Sequence, residues 1–451
     1  MHRRRVEKMT MKKDLTTGDV SKSLLAFAGP MILGNLLQQC YNIADTFIVG
    51  RFLGADALAA VGAAYTLMTF LTSILIGLCM GSSSLFSLYF GRKDRQEMKN
   101  SISASFLFIS LAAVLMNVLL FLFIDEILRL LSVPETICGM MRSYVWIIFF
   151  GIFPVFLYNF FSFVLRSVGN SALPLWFLGI ASAMNIILDY LFVVSFRWGI
   201  EGAAIATVAA QIFAGAGIGL YVWIKERELM PGRVNVSWKK GTMKEVVRFS
   251  LAASVQQSVM NFGILMIQGL VNSFGTVVMA AFAAAVKVDS FAYMPAQEYG
   301  NAFSIFISQN HGAGEKERIR KGTANAVKVS AIFCVLVSVA VFLLAPYLMM
   351  IFISPEETEV IRIGVGYLRV EGSFYVGIGI LFLLYGFYRG IGKPEMSVVL
   401  TVISLGTRVL LAYVLAPIPA IGVWGIWWAI PIGWFIADVT GFLVMSRYKG
   451  G

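Results

Sequence analysis

Asp45, Asp189, Lys287, Asp289, Glu298, Arg408 and Asp438 all stand inside apolar stretches of this chain. A charge at the centre of a membrane helix costs about 2.5–3.5 kcal/mol on insertion scales, so each marks chemistry or ion pairing. Asp45 closes a polar stripe. Asn35, Gln38, Asn42 and Asp45 are spaced three, four and three, which puts them on one helical face. That face lines a packed interior or a water-filled cavity. Asp189 follows Asn185 by four residues and shares its face, and Thr207 lies in the next apolar run. Two carboxylates, an amide oxygen and a hydroxyl form a hard-oxygen set. Such a set suits Na⁺, and it equally suits a proton, because crowded carboxylates titrate as a unit. Nothing in the spacing brings Asp45 to Asp189. A carboxylate at the membrane interface beside Arg51 is the plainer role for Asp45.

The second half has its own polar set. Lys287 and Asp289 precede Pro295, and Glu298, Asn301, Ser304 and Gln309 follow it. Gln256, Gln257, Asn261 and Gln268 stripe the run before. Lys287 and Arg408 are expected to offset some of the acids, with direct contact to an ion or substrate as the alternative. Gln38, Asn42, Gln256, Gln257, Asn261, Lys287, Asp289, Glu298 and Arg408 are therefore candidate cavity residues. Pro30 and Pro295 are candidate helix bends, since proline frees a carbonyl. Tyr41, Tyr65, Tyr158 and Tyr293 could stack on flat cations, although each alone reads as core or lipid-facing.

These residues must be held by membrane helices. The chain is 58% apolar and 14% charged, against about a quarter charged in soluble domains. Apolar runs long enough to cross about 30 Å of hydrocarbon recur. They fall at 23–49, 57–88, 101–124, 140–164, 172–195, 202–224, 246–271, 277–308, 324–352, 363–388, 396–416 and 422–446. The chain also repeats itself. Residues 165–206 align without a gap on 388–429, pairing Arg166 with Arg389, Gly169 with Gly392, and Tyr190 with Tyr413. Val49 to Phe52 matches Val271 to Phe274, and Pro134-Glu135 matches Pro355-Glu356. Two apolar copies of about 220 residues are the mark of a duplicated transporter. Under this repeat Asn185 falls on Arg408, Asp189 on Ala412, and Asp45 near Gln268, so the acids of the first copy are absent from the second.

Charge sets the orientation. Alternate connections and both termini hold 28 Lys/Arg, whereas the opposite connections hold six. Lys/Arg-rich loops stay cytoplasmic, so both termini are expected inside a plasma (inner) membrane. The basic loop at Arg92 to Arg95 and its copy at Glu315 to Arg318 then lie on one side. The halves share an orientation and hold an even number of helices, six by length. The expected architecture is an all-α, multi-pass membrane protein of twelve transmembrane helices in two parallel repeats. Its parts are a lobe at 1–224, a cytoplasmic linker at 225–245 with Pro231-Gly232 and Trp238-Lys239-Lys240, and a lobe at 246–451.

Several function classes are excluded. The net charge of +11 belongs to one membrane side and is no nucleic-acid footprint. The basic, polar start carries no cleavable signal. His2 and His311 are the two histidines, and Cys40, Cys79, Cys138 and Cys334 lack metal spacing, so a histidine-based metal site or triad has no ligands. A membrane-embedded enzyme would need a nucleophile or metal motif that is not present.

Further residues carry a resemblance. They are Leu15 to Gly18, Pro30, Gln38-Gln39, Tyr41 to Thr46, Val49 to Gly54 and Ala57 to Gly62. Arg166 to Asn170, Asn185 with Asp189, Gly199 to Ala204 and Gln309 to Gly314 extend it. Together they resemble the multidrug and toxic compound extrusion (MATE) family, prokaryotic branch, over nearly the whole chain. The resemblance implies two six-helix lobes arranged as a V and cation-coupled antiport by alternating access. It implies export of organic cations and other drugs for H⁺ or Na⁺, by a monomer in the lipid bilayer, with no cofactor beyond the coupling ion. It implies a cation site at Asp45, Asn185, Asp189 and Thr207. One departure stands out. Some members carry an essential glutamate on the seventh helix, where this chain has Gln256 and Gln257 and no acid between Arg248 and Asp289. Coupling is therefore expected in the first lobe. The rival within the wider superfamily is a flippase for lipid-linked or polysaccharide precursors. Twelve spans and several intramembrane acids favour cationic substrates instead, and drug-efflux against lipid-scrambling assays separate the two.

Overall fold

The computed structural model describes residues 14–131, 133–230 and 240–447, without the side chains of Lys240 and Arg447. Pro231-Gly232, Trp238-Lys239 and His2 lie outside the described residues, as does most of the expected linker. The described chain is helical, with no strand. The first repeat runs α1 (Val20–Leu53), α2 (Ala55–Gly91), α3 (Arg95–Leu122), α4 (Ile124–Leu130), α5 (Glu135–Phe149), α6 (Ile152–Ser167), α7 (Ala172–Asp189) and α8 (Gly199–Lys225). The second runs α9 (Lys240–Asn272), α10 (Thr276–Gly312), α11 (Lys316–Met350), α12 (Thr358–Gly372), α13 (Tyr375–Gly390), α14 (Pro394–Leu415) and α15 (Trp424–Arg447). Ten helices, counting α7 with the six residues after it, are long and apolar enough to cross a bilayer. The pairs α5–α6 and α12–α13 each make one further span, bent by 44° and 51°. Twelve spans result, at the positions expected from hydropathy.

The duplication is written into the backbone as well. Gly54 and Gly275 take φ of 89° and 95°, Gly169 and Gly392 take 83° and 81°, and Gly199 and Gly422 take 65° and 54°. These pairs sit at matching places in the two repeats. A fourth pair is Lys93, at φ 59°, and Gly314, at 75°. Here lysine occupies the left-handed turn that its counterpart fills with glycine, at some local cost. Asp94 then caps α3, its carboxylate accepting from the Glu97 N–H at 3.0 Å.

Two compact units result, one of residues 29–254 with Asp14 and one of residues 15–28 and 255–447. The chain thus changes unit inside α1, just ahead of Pro30, and inside α9, after Ser254. Helix α9 begins at Lys240, so the last residues of the expected linker are already helical. Its first turns are fastened within the first unit. Ser250 Oγ lies 2.7 Å from Ser82 Oγ, Tyr89 donates to Glu245 at 2.6 Å, and Ser254 donates to the Ile74 carbonyl at 3.1 Å. In the second unit Arg318 clamps the entry to α1. Its guanidinium donates to the carbonyls of Gly18, Leu15 and Thr17 at 2.7, 2.9 and 3.0 Å, and to Asn310 Oδ1 at 3.1 Å.

Small residues let the helices close up. A Cβ on Gly300 would stand 2.8 Å from the Phe382 carbonyl oxygen, and one on Gly386 would stand 2.5 Å from the Gly300 carbonyl. Between membrane helices such approach is a main source of cohesion, since lipid offers no hydrophobic drive. Phenylalanines fill the first unit, with Phe106 against Phe156 and Phe160 at 5.6 and 5.2 Å. Phe282, Tyr367 and Trp427 form the equivalent knot in the second. Both α1 and α10 continue as helix through Pro30 and Pro295.

Candidate functional site

Folding brings together four residues that the sequence leaves far apart. Asp45 lies late in α1, Asn185 and Asp189 in the last turns of α7, and Thr207 in α8. The Asp45 and Asp189 carboxyl groups come within hydrogen-bonding reach of each other. Asn185 donates to Thr207 Oγ1 at 3.4 Å. Asp189 and Asn185 are 0% and 1% exposed, deep enough that water cannot solvate them freely. Asp45 is half-buried. Four buried oxygens here lack a donor among the described residues: Asp45 Oδ1, Asn185 Oδ1 and both oxygens of Asp189. Buried acceptors without donors are costly, and two ionised carboxylates in contact repel. A proton shared between them, or a cation among the oxygens, removes both costs. The residues therefore fit Na⁺ as well as H⁺.

Local backbone sets this geometry. Immediately after Asp189 the chain winds into a π-helical turn, Tyr190–Ser195. Such wide turns occur often at functional sites. Its counterpart in the second repeat, residues 413–418, has no π-helical turn: α14 ends at Leu415 and the chain continues in turns. Tyr41 and Tyr144 lie within electrostatic range of both carboxylates. Asn42 reaches Gln39 Oε1 at 3.4 Å and the Tyr65 hydroxyl at 3.5 Å, while Gln38 is exposed.

The second unit holds a separate polar cluster. Asp289, buried, accepts from the Tyr375 hydroxyl at 2.6 Å. Glu371 is 3% exposed and interacts with Tyr367, and Arg408 lies in range of both acids without a bridge within 4.0 Å. Lys287 does not offset these acids, contrary to expectation. It stands two residues from Asp289 on the opposite helix face, exposed, with its ammonium 5.7 Å from the Phe352 ring. Gln256, Gln257 and Asn301 line a small polar cavity with Arg389, which donates to Asn301 Oδ1 at 3.0 Å. Asn301 in turn donates to Glu298 at 3.3 Å. Asn261 turns back to the Gln257 carbonyl of its own helix. Asp438 is buried, with Oδ1 lacking a donor.

The family profile described as MatE covers residues 30–191 and 252–414, once in each repeat. The chain belongs to the MATE family. The chain is 32% identical over 393 residues to the probable multidrug resistance protein YpnP of Bacillus subtilis (strain 168), covering 87% of each chain. A protein named FAD transporter, from Shewanella oneidensis, is 24% identical over 446 residues, 97% of each chain. An outward-facing multidrug resistance MATE family transporter superposes with a TM-score of 0.92 at 23% identity, over 98% of this chain and 99% of that one. This last likeness is one of fold. This MATE chain is thus a multi-pass membrane protein.

Reading this chain from residues alone passed over Tyr144, Tyr367, Tyr375, Glu371 and Arg389. A signal for some was present. Glu371 is an acid inside the apolar run 363–388, and Tyr144 and Tyr367 occupy equivalent places in the two repeats. Each of the two acid clusters therefore has a matching tyrosine beside it. Arg389 ends a span beside a basic loop, so its burial at 3% exposure could not be read from its neighbours.

Proposed function

We propose that the chain is a secondary active antiporter that exports organic cations in exchange for H⁺ or Na⁺ by alternating access. Both termini face the cytoplasm, and the coupling ion occupies Asp45, Asn185, Asp189 and Thr207. One observation carries the reading: two carboxyl groups in contact inside the bilayer, in a pocket whose buried oxygens have no donor. The resistance role named for the Bacillus relative supports drugs as cargo. Coupling follows from competition. With no ion bound, the two carboxylates favour a cationic substrate in the protein. Loading H⁺ or Na⁺ cancels that charge and lowers the affinity for substrate. An ion that binds the two access states unequally then shifts their populations.

The test is uptake of a fluorescent cation into proteoliposomes under separately imposed proton and sodium gradients. Accumulation driven by either gradient, and abolished by collapsing it, is expected. Uptake indifferent to both would refute antiport.

A second reading, export of an aromatic anion, is suggested by the name of the Shewanella relative. FAD offered to the same vesicles distinguishes it.

A further inference from the structure

A groove of about 800 Å³ opens on the second unit between α11, α12 and α15. Its volume lies within the range of about 300–1,000 Å³ typical of small-molecule sites. Phe342, Phe374, Trp424 and Trp428 line it, each 41–50% exposed. These walls belong to membrane-spanning helices, and their apolar, aromatic surface is of the kind that a bilayer covers. The groove sits toward the Met350 end of α11, opposite the basic turn before Lys316. In the proposed orientation that is the outer leaflet.

Two arginines, Arg362 and Arg369, face this groove from α12, seven residues and two turns apart. They are not equivalent. Arg362, near the mouth, is bridged to Glu359 at 2.6 Å. Arg369 is eleven residues past the first residue of α12, about 16 Å along the helix at 1.5 Å per residue. It is exposed and makes no ion pair within 4.0 Å among the described residues; its guanidinium lies 5.2 Å from the Phe342 ring. Glu371, two residues on, is buried on the other side of the helix. An uncompensated arginine on a lipid-facing groove is costly, and headgroups are drawn in toward such a charge.

We propose that this groove is a binding site for an anionic glycerophospholipid. The lipid phosphate pairs with the Arg369 guanidinium, and an acyl chain lies along Phe342, Trp424 and Trp428. Charge decides the class. A lipid of net charge −1 neutralises Arg369. A zwitterionic lipid brings its own cation and leaves the arginine's charge in place. The planar guanidinium fork suits a phosphodiester.

Trp424 and Trp428 make the site observable. The full chain is reconstituted in phosphatidylcholine vesicles, and brominated-acyl phosphatidylglycerol or brominated-acyl phosphatidylcholine is titrated as a contact quencher. A quenched component that disappears in Trp424→Phe/Trp428→Phe reports the groove. That component is expected to half-saturate at about a five-fold lower mole fraction of phosphatidylglycerol, the worth of one basic side chain near anionic lipid. Arg369→Gln is expected to erase the preference and Arg369→Lys to keep part of it. Equal quenching by the two lipids would overturn the site. So would a preference that survives Arg369→Gln, or one lost equally in Arg129→Gln, which would show bulk surface attraction. Size-exclusion elution and helicity verify folding. If Arg369→Gln fails to fold, Arg369→Lys carries the test, and a preference identical to wild type in that variant counts against the guanidinium pairing.

Discussion

The carboxyl groups of Asp45 in α1 and Asp189 in α7 come within hydrogen-bonding reach of each other, although three spans, α2, α3 and α5–α6, lie between them in chain order. Both belong to the first unit. Two like charges in contact, one of them with no exposure, can persist only when a proton or cation accompanies them. That single relationship gives the protein a place where ion binding and charge balance are the same event.

Asp45→Asn and Asp189→Asn each keep the side-chain shape and remove a titratable charge. Either variant is expected to abolish coupled export while the protein remains folded. Because the two residues act as one site, the double variant should be little worse than either single one. Drug-resistance and vesicle-uptake assays at matched expression check this; wild-type resistance in either single variant would rule the site out.

Ion and drug should compete. The affinity for a cationic drug is expected to fall as pH is lowered or as Na⁺ is raised, because both load the same carboxylates. Linkage requires the drug to weaken ion binding by the same factor. Equilibrium drug binding measured across pH and Na⁺ decides it, and a flat response to both would refute competition.

Tyr375→Phe deletes the donor that reaches buried Asp289 at 2.6 Å. The carboxyl is then left without its hydrogen bond, at a cost of about 1–3 kcal/mol. A lower thermal midpoint in detergent is expected. Tyr293→Phe serves as a comparison, because that hydroxyl lies near Asp289 without a hydrogen bond to it; an equal loss in both would argue against the hydrogen bond as the cause.

Arg318→Ala should loosen the entry to α1 by removing four donated hydrogen bonds. Arg318→Lys is expected to restore the stability only in part, since an ammonium cannot span three carbonyls and an amide oxygen as a planar fork does. Protease sensitivity ahead of Val20 reads the effect. Indistinguishable digestion of wild type and Arg318→Ala would show that the clamp does not hold this segment.

Topology can be read by cysteine labelling in a background without Cys40, Cys79, Cys138 and Cys334. Glu228→Cys is expected to react only from the cytoplasmic side. Leu130→Cys, at a position 84% exposed, should react only from outside. The basis is the 28-to-6 distribution of Lys/Arg. Labelling of both from one side would overturn the orientation.

The sequence by itself determined the twelve spans, the duplication and the candidate coupling residues. Spans are legible because a bilayer demands continuous apolar length, and repeats because residues such as Gly169 and Gly392 recur at a constant offset. Asp189 and Asn185 were legible as a pair because helical spacing is a local rule. Tertiary structure alone decided that Asp45 joins them, that Tyr144 stands beside them, and that Lys287 turns away from Asp289. It also decided the bends within the α5–α6 and α12–α13 spans, the π-helical turn after Asp189, and the exposed position of Arg369 on its groove. Local periodicity states which face of a helix is polar. Which other helix that face meets depends on close backbone approach at residues such as Gly300 and Gly386, and such contacts pair positions that no spacing rule connects.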